Sequence, residues 1–184
     1  VCTSVSYRRV REAQLLARDL AAVHPGVRVV VLVSGTPSST PADGLDPDLE
    51  VWGPDRLDVP ASVVHELALM CSGDDLAAAL VPLLVRTLAG VGSTSGGVAA
   101  STDTIVALAP DVSVLGPIDE LVAAARASGV AVVPRLLGPV PSDGLDPGAA
   151  WFVDAGVFDH GIVAVDAGAG AGAGAGDQGA GAEV

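Results

Sequence analysis

The stretch of the chain most suited to chemistry is Ile105 to Leu121, IVALAPDVSVLGPIDEL. An apolar run passes straight into Pro110-Asp111, and Gly116-Pro117 then leads into an acidic helix start. This order puts Asp111 at the carboxyl end of a strand, where open α/β sheets bind their ligands. A carboxylate there can hold a divalent cation that neutralises a diphosphate, although a Pro-Asp pair also begins ordinary turns. The second candidate is Asp159-His160-Gly161, where two polar side chains precede an apolar strand expected over Gly161 to Val165. Other patterns carry less. Gly90, Gly92, Gly96 and Gly97 follow a helix and precede a strand, the reverse of the order a dinucleotide fingerprint needs to aim a helix N-terminus at a pyrophosphate. The chain has no lysine for a Walker motif, Ser34-Gly35 lacks the G-x-S-x-G elbow, and the three histidines are far apart. His24 reads as a helix-end residue, His65 as a surface residue and Asp74-Asp75 as helix N-terminal charges. Cys2 and Cys71 read as ordinary buried thiols.

The elements that must position these residues alternate along the chain. Val27 to Val33, VRVVVLV, is β-branched and bounded by turn residues, the pattern of a buried strand. Before it, Val10 to Val23 spaces Val10, Ala13, Leu16, Ala17 and Leu20 as an amphipathic helix, so Val1 to Val5 becomes a first strand and a βαβ unit with a parallel sheet follows. A short strand is expected over Leu49 to Trp52. Helices are expected over Ala61 to Met70 and from Ser72 or Asp74 past Arg86. Further on come a strand over Thr104 to Leu108, a helix over Ile118 to Ser128 and a strand over Val130 to Val133. Ser38 to Pro47, Gly90 to Gly97 and Gly138 to Gly148 have loop composition, and the Gly-Ala repeat from Ala167 onward reads as a flexible tail. The sum is one α/β domain, residues 1–166, with a tail over 167–184.

Composition narrows the partners. Half of the 184 residues are apolar and 3% are aromatic, so Val, Leu and Ala must build the core and a base-stacking surface is not expected. All nine basic residues are arginine, against 22 acids, for a net charge of −13. That balance repels nucleic acid and anionic membranes, and an anionic ligand would need a local arginine, a helix N-terminus or a metal. The apolar run Leu76 to Val85 is too short to span a membrane, and two cysteines make no disulfide scaffold, so a cytoplasmic location is expected. A start at Val1 without methionine and an end in a Gly-Ala tract are expected of a segment of something longer.

Six stretches, placed in the family's order along the chain, resemble GT-A glycosyltransferases, which transfer sugars from nucleotide-diphospho-sugars. Ala109-Pro110-Asp111 with Gly116 to Leu121 resembles their DxD segment. Cys2 to Leu20, with Tyr7, looks like their first strand and helix, and HPGVRVVVLV like their second strand. Leu49 to Arg86 is similar to the stretch carrying their Leu-Lys-Pro helix, and VVPRLLGPVPSDG with AGVFDHGIVAV to their two late segments. The resemblance covers about residues 1–165 and implies a three-layer α/β/α domain with a mostly parallel central sheet and its C-terminal part missing. It further implies a divalent cation, Mn or Mg, held by Asp111, with Thr3 and Tyr7 near the nucleotide. Asp159, His160 and Gly161 would face the sugar or an unidentified glycan or small-molecule acceptor, with Asp159 and His160 as the catalytic pair. Where the family has the first DxD acid this chain has Ala109, and where it has the lysine it has Val81. Ser34-Gly35 stand in place of an acid pair, Asp159 in place of an Asn, and Arg135 in place of a frequent histidine. These departures weaken the cation site and keep a second expectation open, a catalytically inactive fold used as an interaction or scaffold module.

Overall fold

The structure, a computed structural model, describes residues 1–35, 49–90, 104–139, 151–152 and 156–168. The expected loops at 38–47 and 91–97, most of that at 138–148, and the tail from residue 169 lie outside the described residues. Six strands form one sheet: β1 (Cys2–Ser6), β2 (Val30–Ser34), β3 (Glu50–Trp52), β4 (Thr104–Leu108), β5 (Val130–Pro134) and β6 (Phe158–Asp166). Their order is β3-β2-β1-β4-β6-β5. The β1–β2, β2–β3 and β1–β4 pairs are parallel, while β6 runs antiparallel to both β4 and β5. The sheet is therefore mixed and mostly parallel, in an α/β domain.

Alternation along the strands divides the core in two. Val5, Val31, Val33, Val106 and Leu108 face α1 (Val10–Val23) and α4 (Asp119–Ser128), and the α1 residues Ala13, Leu16 and Leu20 fill that layer. Cys2, Val30, Leu32, Ile105 and Ala107 face Leu80, Leu84 and Leu88 of α3 (Gly73–Ala89). α2 (Ala61–Met70) packs outside, through Val64 and Leu67, and leaves Leu69 and Met70 exposed. Each buried Leu or Val contributes about 1.5–3 kcal/mol by leaving water, so a core built mainly of Val, Leu and Ala, with Trp52 and Phe152 as its buried aromatics, holds the layers together.

Several boundaries depart from expectation for local reasons. β2 starts at Val30 rather than Val27 because the Val27 N–H donates to the His24 carbonyl at 3.2 Å, closing a turn around Gly26 at φ 81°. β6 starts at Phe158 rather than Gly161 because Phe158 and Asp159 pair with Pro134 and Val133 beyond a register shift in β5. Asp159 and His160 thus lie within a strand and do not precede one. Cys71, expected to be buried, is half-buried, since it follows the outlying α2; Cys2 is buried, and burial pushes its thiol up to about 11. His24 ends α1 as expected, and its Nε2 also accepts the Ile118 N–H at 2.9 Å, fixing the start of α4. His65 is exposed as expected. Ala167, the first residue of the expected tail, packs against the α3 core. Among the described residues no helix is long and apolar enough to cross a membrane.

Candidate functional site

Strand order reverses between β1 and β4: β2 and β3 extend the sheet on one side, and β4, β6 and β5 on the other. At such a switch point the two connections leave in opposite directions and open a crevice beyond the strand ends. A cleft of about 990 Å³ lies there, at the upper end of the range for small-molecule sites. Its floor is the α3-facing side of β1, β4 and β6.

α3 supplies one wall. Asp74, Ala78, Val81, Pro82, Val85 and Arg86 line the cleft at spacings of three, four and seven, one stripe of a helix. The side chains between Asp74 and Arg86 on this stripe, Ala78, Val81, Pro82 and Val85, are short, so they leave the cleft beside them unfilled. Pro82 lies inside α3; lacking an N–H, it cannot bond the Ala78 carbonyl one turn earlier, which remains an acceptor on the cleft wall.

The mouth is polar. The α3 start is tied to β1 by the Ser6 hydroxyl, which donates to Asp74 Oδ1 at 2.5 Å. The end of β4 is tied to β6 by the Ala109 N–H, which donates to the Gly161 carbonyl at 2.7 Å. Asp111 and Asp159 flank that junction, each facing an arginine: Arg9 Nη2 lies 3.9 Å from Asp111 Oδ2, and Arg135 Nη2 lies 3.8 Å from Asp159 Oδ1. Arg9 is oriented by Glu12, which accepts from its Nε at 2.9 Å and also from Nη2, and this bond holds the guanidinium above its ordinary pKa. Arg135 lies over the Trp151 ring at 5.7 Å. The Gly161 N–H donates to Asp159 Oδ1 at 2.9 Å. Ser4, 4% exposed, also lines the cleft, and its hydroxyl has no hydrogen-bond partner among the described residues. A buried hydroxyl without a partner costs about 1–3 kcal/mol, and a bound ligand could recover that cost here. In a chain of net charge −13, the cleft gathers three arginines against three aspartates.

The expected site residues divide. Asp111, Asp159, His160 and Gly161 come together on the cleft. Thr3 does not join them: it alternates with Cys2 and Ser4, lies buried on the α1 side of β1, and its hydroxyl is also without a partner among the described residues. Tyr7 is exposed in the turn after β1 and does not line the cleft. Sequence reasoning passed over Ser4, Arg9 and Arg86 as site residues. The signal for Ser4 was visible: Ser4 and Ser6 put two hydroxyls on one face of an otherwise buried strand.

The cation of the expected site would meet a sparse donor set here. A hard divalent cation at a phosphate site takes one or two protein carboxylates and completes its shell with substrate phosphates and water. Asp111 supplies one carboxylate, Ala109 supplies a methyl, and the Arg9 guanidinium faces the same carboxylate. Among the described residues no group of three His, Cys, Asp or Glu is placed to hold a metal. Comparison of the chain with protein-family models, curated proteins and solved structures finds no match.

Proposed function

We propose that the chain is a glycosyltransferase-like domain of the GT-A type, whose cleft binds a nucleotide-diphospho-sugar and passes the sugar to an acceptor hydroxyl. The observation that carries this reading is the convergence of Asp111 with Asp159, His160 and Gly161 on one cleft at the carboxyl ends of β1 and β4. These residues come from two separate stretches, both similar to that family. In the reaction the acceptor oxygen attacks the anomeric carbon, the bond to the diphosphate breaks, and the nucleoside diphosphate leaves with the electron pair. The departing charge is met by the arginines of the cleft mouth. His160, exposed on the cleft, accepts the acceptor proton. Asp159 is a positioning residue, since it accepts the Gly161 N–H and faces Arg135.

Ala109 and the sparse donor set for a cation favour a second reading, an inactive GT-A-like module that binds a partner and turns over nothing. Calorimetric titration with UDP-, GDP- and dTDP-sugars, with and without Mn, separates the two. Saturable binding of one nucleotide class supports the donor reading. Absence of binding for all three, with and without Mn, rejects it in favour of the inactive module.

A further inference from the structure

We propose that the diphosphate subsite of this cleft is built from Arg9 and Arg135 and works without a divalent cation, with Asp111 and Asp159 as internal counter-ions that a phosphate displaces. The inference rests on the donor reading above and names how its charge is met.

Both arginines have side chains less than one-third exposed, 31% for Arg9 and 23% for Arg135, so their charges lie where water screens them incompletely. Each is aimed by a neighbour outside the aspartate pair, Arg9 by Glu12 and Arg135 by Trp151. The separations to Asp111 and Asp159, 3.9 and 3.8 Å, exceed hydrogen-bond length. Across these separations the two carboxylates attract the guanidiniums by charge, and an acceptor that approaches more closely competes with them. A diphosphate provides one, because its paired oxygens match the planar donor fork and its charge exceeds that of one carboxylate. The two ion pairs flank one junction, where the Ala109 N–H meets the Gly161 carbonyl at 2.7 Å. The buried Ser4 hydroxyl, unpartnered among the described residues, opens on the same cleft and offers a further donor.

This assignment reverses the role of Asp111. In a metal site its carboxylate is a ligand, so its removal abolishes binding. In an arginine site it competes with the ligand, so its removal strengthens binding.

The test is a calorimetric titration of the whole chain with inorganic pyrophosphate and with UDP, GDP and dTDP, in EDTA and in Mn, for wild type, Arg9→Gln, Arg135→Gln and Asp111→Asn. Melting curves for each variant check that it is folded. The expected result is binding of pyrophosphate and of one nucleotide in EDTA, little changed by Mn. Each arginine substitution should weaken it about 10- to 100-fold, the range for a lost charge-assisted hydrogen bond. Asp111→Asn should strengthen it severalfold, a gain that misfolding cannot produce. Binding that requires Mn and is lost in Asp111→Asn overturns this inference and leaves the donor reading standing. Nucleotide binding in EDTA that neither arginine substitution weakens also overturns it. Absence of nucleotide binding under both conditions overturns the inference and the donor reading together.

Discussion

Gly161→Ala separates the folding role of the β4–β6 junction from its role in the cleft. Gly161 lies mid-strand and is not among the glycines with positive φ, so alanine can adopt its backbone conformation. Replacing glycine there gains about 0.4–1 kcal/mol by restricting the unfolded chain. Against this, the new methyl would sit 3.1 Å from Ala109 Cβ and 3.1 Å from Asp159 Oδ1. Both contacts are tighter than ordinary van der Waals distance, and relief by a few tenths of an ångström costs about 1–2 kcal/mol. The two effects partly cancel, so stability should fall by no more than about 1.6 kcal/mol. The cleft does not share that cancellation. The Asp159 carboxylate must move although it accepts the Gly161 N–H at 2.9 Å and faces Arg135 at 3.8 Å, and the methyl occupies the space between the two ion pairs. Nucleotide affinity should therefore drop about tenfold, equivalent to about 1.4 kcal/mol. Denaturant melts and calorimetry on the same preparation give both numbers. A stability loss above about 3 kcal/mol, or an unchanged affinity in a folded variant, would refute the reasoning.

Three further outcomes are expected. Glu50 accepts hydrogen bonds from Arg28 Nε at 2.7 Å and from Trp52 Nε1 at 2.9 Å, and the Arg28 bond is the main cause that holds its carboxyl below the ordinary 4.5. A depressed carboxyl stabilises the fold above its unfolded pKa, and that contribution is lost as pH falls through the folded value. The stability difference between wild type and Glu50→Gln, a few tenths of a kcal/mol for so exposed a pair, should thus be constant above about pH 5 and shrink in acid; a difference that grows in acid contradicts this. A thiol reagent at neutral pH should label the half-buried Cys71 in the native chain and the buried Cys2 only on unfolding, and mass spectrometry of the digested protein would show the reverse order if the burial is wrong. Leu84→Ala, at the fully buried α3 contact, should cost about 2–5 kcal/mol, whereas Leu15→Ala, on the exposed face of α1, should change the unfolding free energy from denaturant melts by no more than about 0.5 kcal/mol.

The sequence made most elements legible because period and punctuation coincide. Leu16 and Leu20 repeat on one face of α1, and Pro117 and Gly129 bracket α4. The antiparallel insertion of β6 between β4 and β5 was not legible, since strand neighbours depend on which faces pack and local pattern does not encode that. The same gap hid the true position of Asp159 and His160, whose polarity mimics a loop although β5 pairs with that part of the strand. Asp111 and Gly161 were found from motif position, whereas Arg135 was read only as standing in place of a histidine and Arg9 was not singled out. Their partnership with Asp111 and Asp159 is made only when β1, β4, β5 and β6 meet at one end of the sheet. Thr3 shows the converse: its place in the first strand suggested a nucleotide contact, but the two-residue alternation of β1 turns it to the far face and brings Ser4 to the cleft.

The central claim is that a nucleoside diphosphate occupies the cleft at the β1–β4 switch point. A titration of the isotopically labelled chain with UDP, GDP and dTDP, followed by backbone amide shifts, addresses it residue by residue. For at least one nucleotide, saturable shifts should concentrate at Ser4, Ser6, Arg9, Asp111, Arg135 and Asp159 to Gly161, with α2 and β3 unmoved. Shifts centred on α2 or β3, or no saturable shift with any of the three, would contradict the account.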